Sequence, residues 1–494
     1  MKPISIDTDI VSKIALLWLV IPVAITVAFW FRPIFAIPTL VLIIASICKS
    51  LHNNQDATLV SGKNSIPLNW QVVTVLLFLL LWIALIGIGG FLGQEERDNS
   101  FRNAVMEELT DREWPVTCDD YQPFAYLNYY FTYWTIPAFI GKLLPSGNYI
   151  WAQGALYAYS YIGLACAVLM IMQLCRKRFL LTGVLFFLFG GGDIFNHILF
   201  RSILHLHHDN NFGTIYFEAG TLPYLCNYIY NQGIPLLVYL ASFVRRNAPG
   251  KDLMMLSFLF AYAPFMTLPM IPVVLIIILK NFRKSLTIEN ITGLIVCLLF
   301  TVLYSGNSNG TSIGTLFMEE PASLVCLYFF CFIFFNYAIF IPFIWNECKN
   351  DWIFWVLFAT TVFLCFLTPG YDNYDFGWKA PAPFTLYFLI KLLRKAAAMD
   401  WKIQNPKAWM LGFLFCIGTF SNTSITLGIK NRTSRNVKYL IGKTGSMSPR
   451  STGLRHNLFN PSANDSYHNF VTDRPTIYSK YFMPRQHADE RNPQ

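Results

Sequence analysis

The run IALLWLVIPVAITVAFW, residues 14–30, decides the class of this chain. It carries no charge, and a bilayer core about 30 Å thick takes roughly 20 apolar residues as helix. The run is too long for the apolar core of a secretory signal and has no small-residue cleavage site after it. It reads as a first membrane span over 12–30. Runs of the same kind recur near 34–48, 70–92, 150–175, 179–200, 224–244, 287–305, 322–346, 351–368, 380–396 and 408–429. The stretch 253–280 is interrupted by Pro264, Pro269 and Pro272, which predicts two short half-spans forming a hairpin. The expected fold is all-α, a polytopic integral membrane protein with about 11–13 membrane-embedded helices.

Composition agrees. Of 494 residues, 13% are charged, 54% hydrophobic and 17% aromatic, and the mean hydropathy is +0.43. Soluble domains carry about a quarter charged residues, so an ordinary soluble enzyme is excluded, as is disorder over most of the length. The net charge of +9 does not mark a nucleic-acid binder, because it is unevenly placed. Residues 422–494 contribute 11 Lys/Arg against 4 Asp/Glu, whereas 1–421 contribute 26 against 24. The chain divides into a membrane domain, 1–429, and a polar basic tail, 430–494. Most of the cysteines lie in apolar runs as small hydrophobes, and none shows zinc-site spacing.

Lys/Arg bias orients the spans. Clusters at 176–178, 245–251, 280–284 and 391–402, with Lys2, Lys13, Lys49, Lys63, Lys349 and Lys407, place 19 Lys/Arg on one side, expected to be cytoplasmic; the other side, tail excluded, carries 7. One alternation satisfies every cluster if the N-terminus is inside, 253–280 is a hairpin and the aromatic stretch 124–145 does not cross. The same count puts the tail outside. Polar chemistry then gathers on the outer face, in a first loop over 94–149, a second over 201–223 and a late loop over 371–379. Between Gln94 and Pro123 the first loop holds nine acids against three Arg.

Carboxylates at the membrane boundary can deprotonate a hydroxyl, and Glu95, Glu96 and Asp98 stand just past the third span. The plainer reading of any one of them is a solvated acidic loop. Glu107, Glu108, Asp111 and Glu113 read as the solvent face of an amphipathic helix over 100–112. Asp193 lies within an apolar span, where an acid is expensive and points to function; it can line a cavity or tie helices together. Asn231 and Gln232 can hydrogen-bond sugar hydroxyls or act as helix–helix glue. Lys379, after Phe376 and Trp378, can bind a phosphate or snorkel to the interface. Asp372 and Asp375 can orient it or bind substrate. Arg201 is a second cation for the same task. His205, His208 and Asp209 offer ligands for a divalent metal, the one cofactor left open, or plain interfacial polarity. Tyr129, Tyr130, Tyr133, Trp134 and Trp378 can stack on sugars, although an interfacial belt is the plainer reading.

Several landmarks occur in order: GGFLGQEERDNSFRNAVMEELTDREWPV at 89–116, LNYYFTYWTIPAFIGKLL at 127–144, GGGDIFN at 190–196, YNQGIP at 230–235, AYAPFMTLPMIP at 261–272 and YDNYDFGWKAPAP at 371–383. Together they resemble bacterial polytopic glycosyltransferases of the GT-C type, over about 90–385. Lys379 stands where that pattern has Arg, and the histidines at 205–208 have no counterpart in it. The resemblance implies a polyprenyl-linked sugar donor, a glycan or lipid acceptor, and an inverting transfer on the extracytoplasmic face of a bacterial inner membrane. It implies a general base at Asp98, with Glu95 or Glu96 as substitutes, and phosphate binding at Lys379 helped by Arg201. Asp193, Asn231, Gln232, Asp375 and Trp378 would complete the substrate site. The rivals are a flippase or exporter of lipid-linked saccharide, a polysaccharide polymerase or ligase, and a non-catalytic envelope scaffold.

Overall fold

The computed structural model describes residues 4–52, 65–89, 98–117, 126–144, 148–204, 216–245, 250–306, 313–369, 374–402, 404–421, 471–472 and 476–484. They form a predominantly helical protein with three two-residue to three-residue strand pairs: β1 (Ser5–Asp7) with β2 (Ser65–Pro67), β3 (Tyr126–Leu127) with β6 (Val471–Thr472), and β4 (Gly314–Thr315) with β5 (Leu367–Thr368), all antiparallel. Four helices are long and apolar enough to cross a membrane: Thr8–Trp30, Pro33–His52, Tyr149–Cys175 and Phe179–Ile203. A fifth is reached if Ala322–Ala338 and Ile341–Cys348, bent by 77°, count as one span. Six further apolar helices are shorter, at 10–17 residues. These are the marks of an all-α membrane protein.

The helices run in order α1 (Thr8–Trp30), α2 (Pro33–His52), α3 (Trp70–Leu85), α4 (Asp98–Asp111), α5 (Thr135–Leu143), α6 (Asn148–Cys175), α7 (Phe179–Leu188), α8 (Asp193–His197), α9 (Leu222–Tyr228) and α10 (Tyr230–Arg245). The 253–280 region is three helices rather than two half-spans, α11 (Asp252–Tyr262), α12 (Pro264–Thr267) and α13 (Met270–Lys280), broken at Pro264 and Pro269 but not at Pro272. Then come α14 (Phe282–Ser285), α15 (Ile288–Tyr304), α16 (Leu316–Glu319), α17 (Ala322–Ile333), α18 (Ile341–Cys348), α19 (Trp352–Cys365), α20 (Asp375–Lys379), α21 (Pro381–Ala398) and α22 (Pro406–Ser421). Several starts are capped by the side chain just before the first turn, which accepts from an otherwise unpaired backbone N–H. Asp7 accepts from Asp9, Asn69 from Val72, Thr287 from Asn290 and Asp351 from Ile353.

Between apolar helices in lipid, association rests on close packing and interhelical hydrogen bonds, and α1 shows how the sequence supplies them. Pro22 has no N–H to give the Trp18 carbonyl four residues earlier. The Tyr159 hydroxyl of α6 donates to that carbonyl at 3.1 Å, and the Trp18 indole N–H returns a bond to the Tyr159 carbonyl at 2.7 Å. The Tyr262 hydroxyl of α11 donates to the Leu19 carbonyl at 2.8 Å. The proline therefore helps to join α1 to α6, and the Tyr262 bond ties α11 to the adjacent residue.

Two expectations change. Glu107 and Glu108 are buried, with Glu108 paired to Arg112 at 2.5 Å, while Asp111 and Glu113 are exposed. The helix α4 packs against α5 and α6, which takes Glu107 and Glu108 away from solvent. Tyr133 and Trp134 are fully buried rather than part of an interfacial belt. The described part of the tail is docked: β6 pairs with β3 of the first loop, and the Tyr478 hydroxyl, itself buried, donates to the Trp30 carbonyl at 2.5 Å. Arg32, in the α1–α2 turn, donates to the Lys480 and Met483 carbonyls at 2.6 and 2.8 Å.

Candidate functional site

The aromatic segment 126–144 is the organising element. Its short 3-10 turn, Phe131–Trp134, leads into α5 and turns its rings inward. The Trp134 indole N–H donates to the Tyr230 hydroxyl oxygen at 3.1 Å, and the Tyr133 hydroxyl bonds the Ser160 hydroxyl at 2.7 Å. Ile229 breaks α9 from α10, so Tyr230, Asn231 and Gln232 form the opening turn of α10. Asn231 is 0% exposed and Gln232 1%. Among the described residues, neither the amide nitrogen nor the amide oxygen of either side chain has a hydrogen-bond partner. Buried polar groups are almost always paired, and each one left unmade costs about 1–3 kcal/mol. Four such atoms on adjacent residues are a concentrated, unmet hydrogen-bonding demand inside the fold. The buried Arg102 guanidinium of α4 lies close enough to Tyr230 to act on its hydroxyl electrostatically.

The late motif reaches the same wall of rings. Lys379 pairs with Asp375 at 2.7 Å, one helical turn earlier in α20. Acid preceding base at this spacing is the favourable order on a helix. The Lys379 ammonium also stands over the Phe265 ring of α12 at 5.2 Å. From Phe265 the rings run on to Tyr130 at 6.1 Å, then Tyr129 at 4.8 Å, then Trp134 at 6.2 Å, then Tyr230 at 6.2 Å. A continuous aromatic path thus joins Lys379 and Asp375 to Asn231 and Gln232. Burial first, then the nearby Asp375 carboxylate, hold the Tyr130 hydroxyl well above its ordinary pKa. It remains a neutral donor at physiological pH. On the other flank, the Glu218 N–H donates to the Gly377 carbonyl at 3.2 Å. Tyr216 beside it is pushed up by burial and by its hydrogen bond to Glu320. Trp378 faces Tyr374 edge-on at 6.0 Å.

Asp193 has hydrogen-bond partners of its own. The span that carries it breaks after Leu188, and α8 begins at Asp193. Its Oδ1 accepts from the Asn336 side-chain amide at 2.6 Å and from Asn196 at 3.2 Å, while the Asn336 side-chain Oδ1 accepts from the Gly192 N–H at 2.9 Å. Gly191 has φ +64°, and a Cβ there would fall 1.9 Å from Asn336 Oδ1, so the loop requires glycine. Asp193 makes no hydrogen bond or ion pair with Lys379, Asp375, Asn231 or Gln232 among the described residues.

Of the other expected residues, Asp98 opens α4, whose later turns pack on α5, α6 and the 3-10 turn. Arg201 is exposed in the π-helical turn Ile198–Ile203 and joins neither Lys379 nor Asp193. Glu95, Glu96, His205, His208, Asp209 and Asp372 lie outside the described residues. Among the described residues, no group of three His, Cys, Asp or Glu side chains could hold a metal ion. Arg102, Phe265 and Asn336 enter the picture only through the structure. Asn336 had a signal, as the sole amide in the apolar stretch FFNYA, 334–338. No protein-family model, curated protein or solved structure matches the chain.

Proposed function

We propose that this protein is a polytopic membrane glycosyltransferase that moves a sugar from a polyprenyl-phosphate-linked donor to an envelope glycan or lipid on the extracytoplasmic face. The observation that carries this reading is the pair of buried, partnerless amides, Asn231 and Gln232, joined by a path of aromatic rings to the Lys379–Asp375 pair. Sugars are bound by amides to their hydroxyls and by rings to their faces, and a phosphate is bound by an ammonium. The ring path links the two groups, and the helix that begins with Asp98 packs on the Phe131–Trp134 turn of that path.

In the proposed reaction the acceptor hydroxyl oxygen attacks the anomeric carbon from the face opposite the phosphate. The acceptor proton passes to a first-loop carboxylate, Asp98 or its neighbours Glu95 and Glu96. The bond from the anomeric carbon to the phosphate oxygen breaks, and its electron pair leaves with the polyprenyl phosphate. One carboxylate suffices because the phosphate is already a good leaving group, unlike the two-carboxylate arrangement of glycoside hydrolases. Asp375 fixes the Lys379 ammonium near the leaving group, and Tyr130 can donate to it.

The rival reading, a flippase or exporter of lipid-linked saccharide, is favoured by one observation: a buried acid at a break in a membrane helix, Asp193. Purified wild type and Asp98→Asn, given polyprenyl-phosphate sugars and candidate acceptors, separate the two. Transfer by wild type that falls at least 100-fold in Asp98→Asn supports the proposed base. Undiminished transfer removes Asp98 from that role, and passage of intact donor across vesicles without transfer favours the flippase.

A further inference from the structure

The geometry points to a monovalent cation site at Asp193, inside the membrane-spanning region and built on side chains that the proposed sugar site does not use. Two discontinuous helices meet there. The span Phe179–Ile203 breaks over 189–192, and the facing helix passes into a π-helical turn, Phe334–Ala338, before bending by 77°. Helix breaks that face each other across a carboxylate place backbone carbonyls and helix C-terminal ends around one point, which is the way such folds hold small cations. Here α7 ends at Leu188, shortly before Asp193, and brings the negative end of its dipole to the break.

The side chains leave a charge and an acceptor unmatched. Asp193 is 3% exposed, and no Lys, Arg or His pairs with it among the described residues. Its two amide donors share one oxygen, Oδ1. Asn196 is fully buried and lends its nitrogen to Asp193, yet its own Oδ1 has no partner. An amide oxygen without a donor, on the same side chain that bonds a buried carboxylate, is a ready ligand for a cation. Position at the start of α8 helps the carboxylate only slightly, since the dipole of a single short helix is a small term beside the burial of a charge. Sodium, a hard cation that takes oxygen ligands, matches the oxygens the side chains offer, a carboxylate and an amide oxygen. The Asn336 amide, which bridges Gly192 and Asp193, would then hold the ligands in place from the opposite helix.

Equilibrium binding of radiolabelled sodium to the purified full-length protein in nanodiscs, with choline chloride holding ionic strength constant, tests this without any sugar present. The expected result is saturable binding of about one ion per chain in wild type. Binding should weaken at least tenfold in Asp193→Asn and weaken in Asn196→Ala, which removes the partnerless oxygen and leaves the carboxylate. Absence of saturable binding in wild type, or affinity unchanged in both variants, overturns the site. If Asp193→Asn fails to fold, wild type and Asn196→Ala still decide it.

Discussion

Replacing Gln232 with Met should stabilise the ligand-free protein and abolish its activity together. The two side chains are unbranched and close in volume, so the packing around a residue 1% exposed is kept. The substitution removes an amide whose nitrogen and oxygen both lack partners. Each buried unmade group costs about 1–3 kcal/mol. Removing two such groups should raise stability by about 1–3 kcal/mol after some loss of fit. Asn231→Leu should act in the same direction. The assay is unfolding of the purified protein in detergent, read by tryptophan fluorescence, beside sugar transfer by the same sample. A residue that merely glues helices together gives the opposite result, destabilisation by about 1–2 kcal/mol. Loss of stability in Gln232→Met would refute the reasoning, because it would mean that the amide already has its partners inside the fold.

Three other expectations follow from named contacts. Lys379→Met leaves the Asp375 carboxylate partly buried without its ammonium, and should lower donor affinity at least tenfold in a competition assay; Lys379→Arg should retain part of it, since either cation can meet a phosphate. Tyr478→Phe removes the hydroxyl that satisfies the buried Trp30 carbonyl and should cost about 1–2 kcal/mol in unfolding, whereas Tyr478→Ala also opens a cavity and should cost about 3–5 kcal/mol and expose the tail to limited proteolysis. A cysteine in place of the exposed Lys480 should react with a membrane-impermeant thiol reagent from the extracytoplasmic side, because the segment docks on the α1–α2 turn; labelling only after the membrane is breached would reverse the assigned orientation.

Most helices were legible because membrane spans announce themselves by length and apolarity. The run read as 12–30 is Thr8–Trp30, and the run read as 380–396 is Pro381–Ala398. Of the three prolines read as breaks in 253–280, Pro264 and Pro269 stand at helix boundaries, whereas Pro272 lies inside α13. Burial of polar groups was less legible, because it depends on what packs against them. Glu107 and Glu108 look like a solvent face along one helix, and only the cover supplied by α5 and α6 hides them. The value of Asn231 and Gln232 lies in partners they lack, and a sequence cannot show a missing contact. Asn336 and Asp193 are 143 positions apart, and their bond depends on a π-helical turn that no periodicity signals. The docked tail is similar: polar composition gave no hint that Tyr478 would be buried against Trp30 and Phe31.

The central claim is that the ring-lined wall holds a lipid-linked sugar while the sugar is transferred. Wild-type protein in sealed proteoliposomes, supplied with a polyprenyl phosphate carrying a radiolabelled sugar and with an acceptor, tests it most directly. The account predicts that label moves onto the acceptor with inverted anomeric configuration, and that polyprenyl phosphate is released in equal amount. Label that stays on the polyprenyl carrier while crossing the bilayer would contradict it.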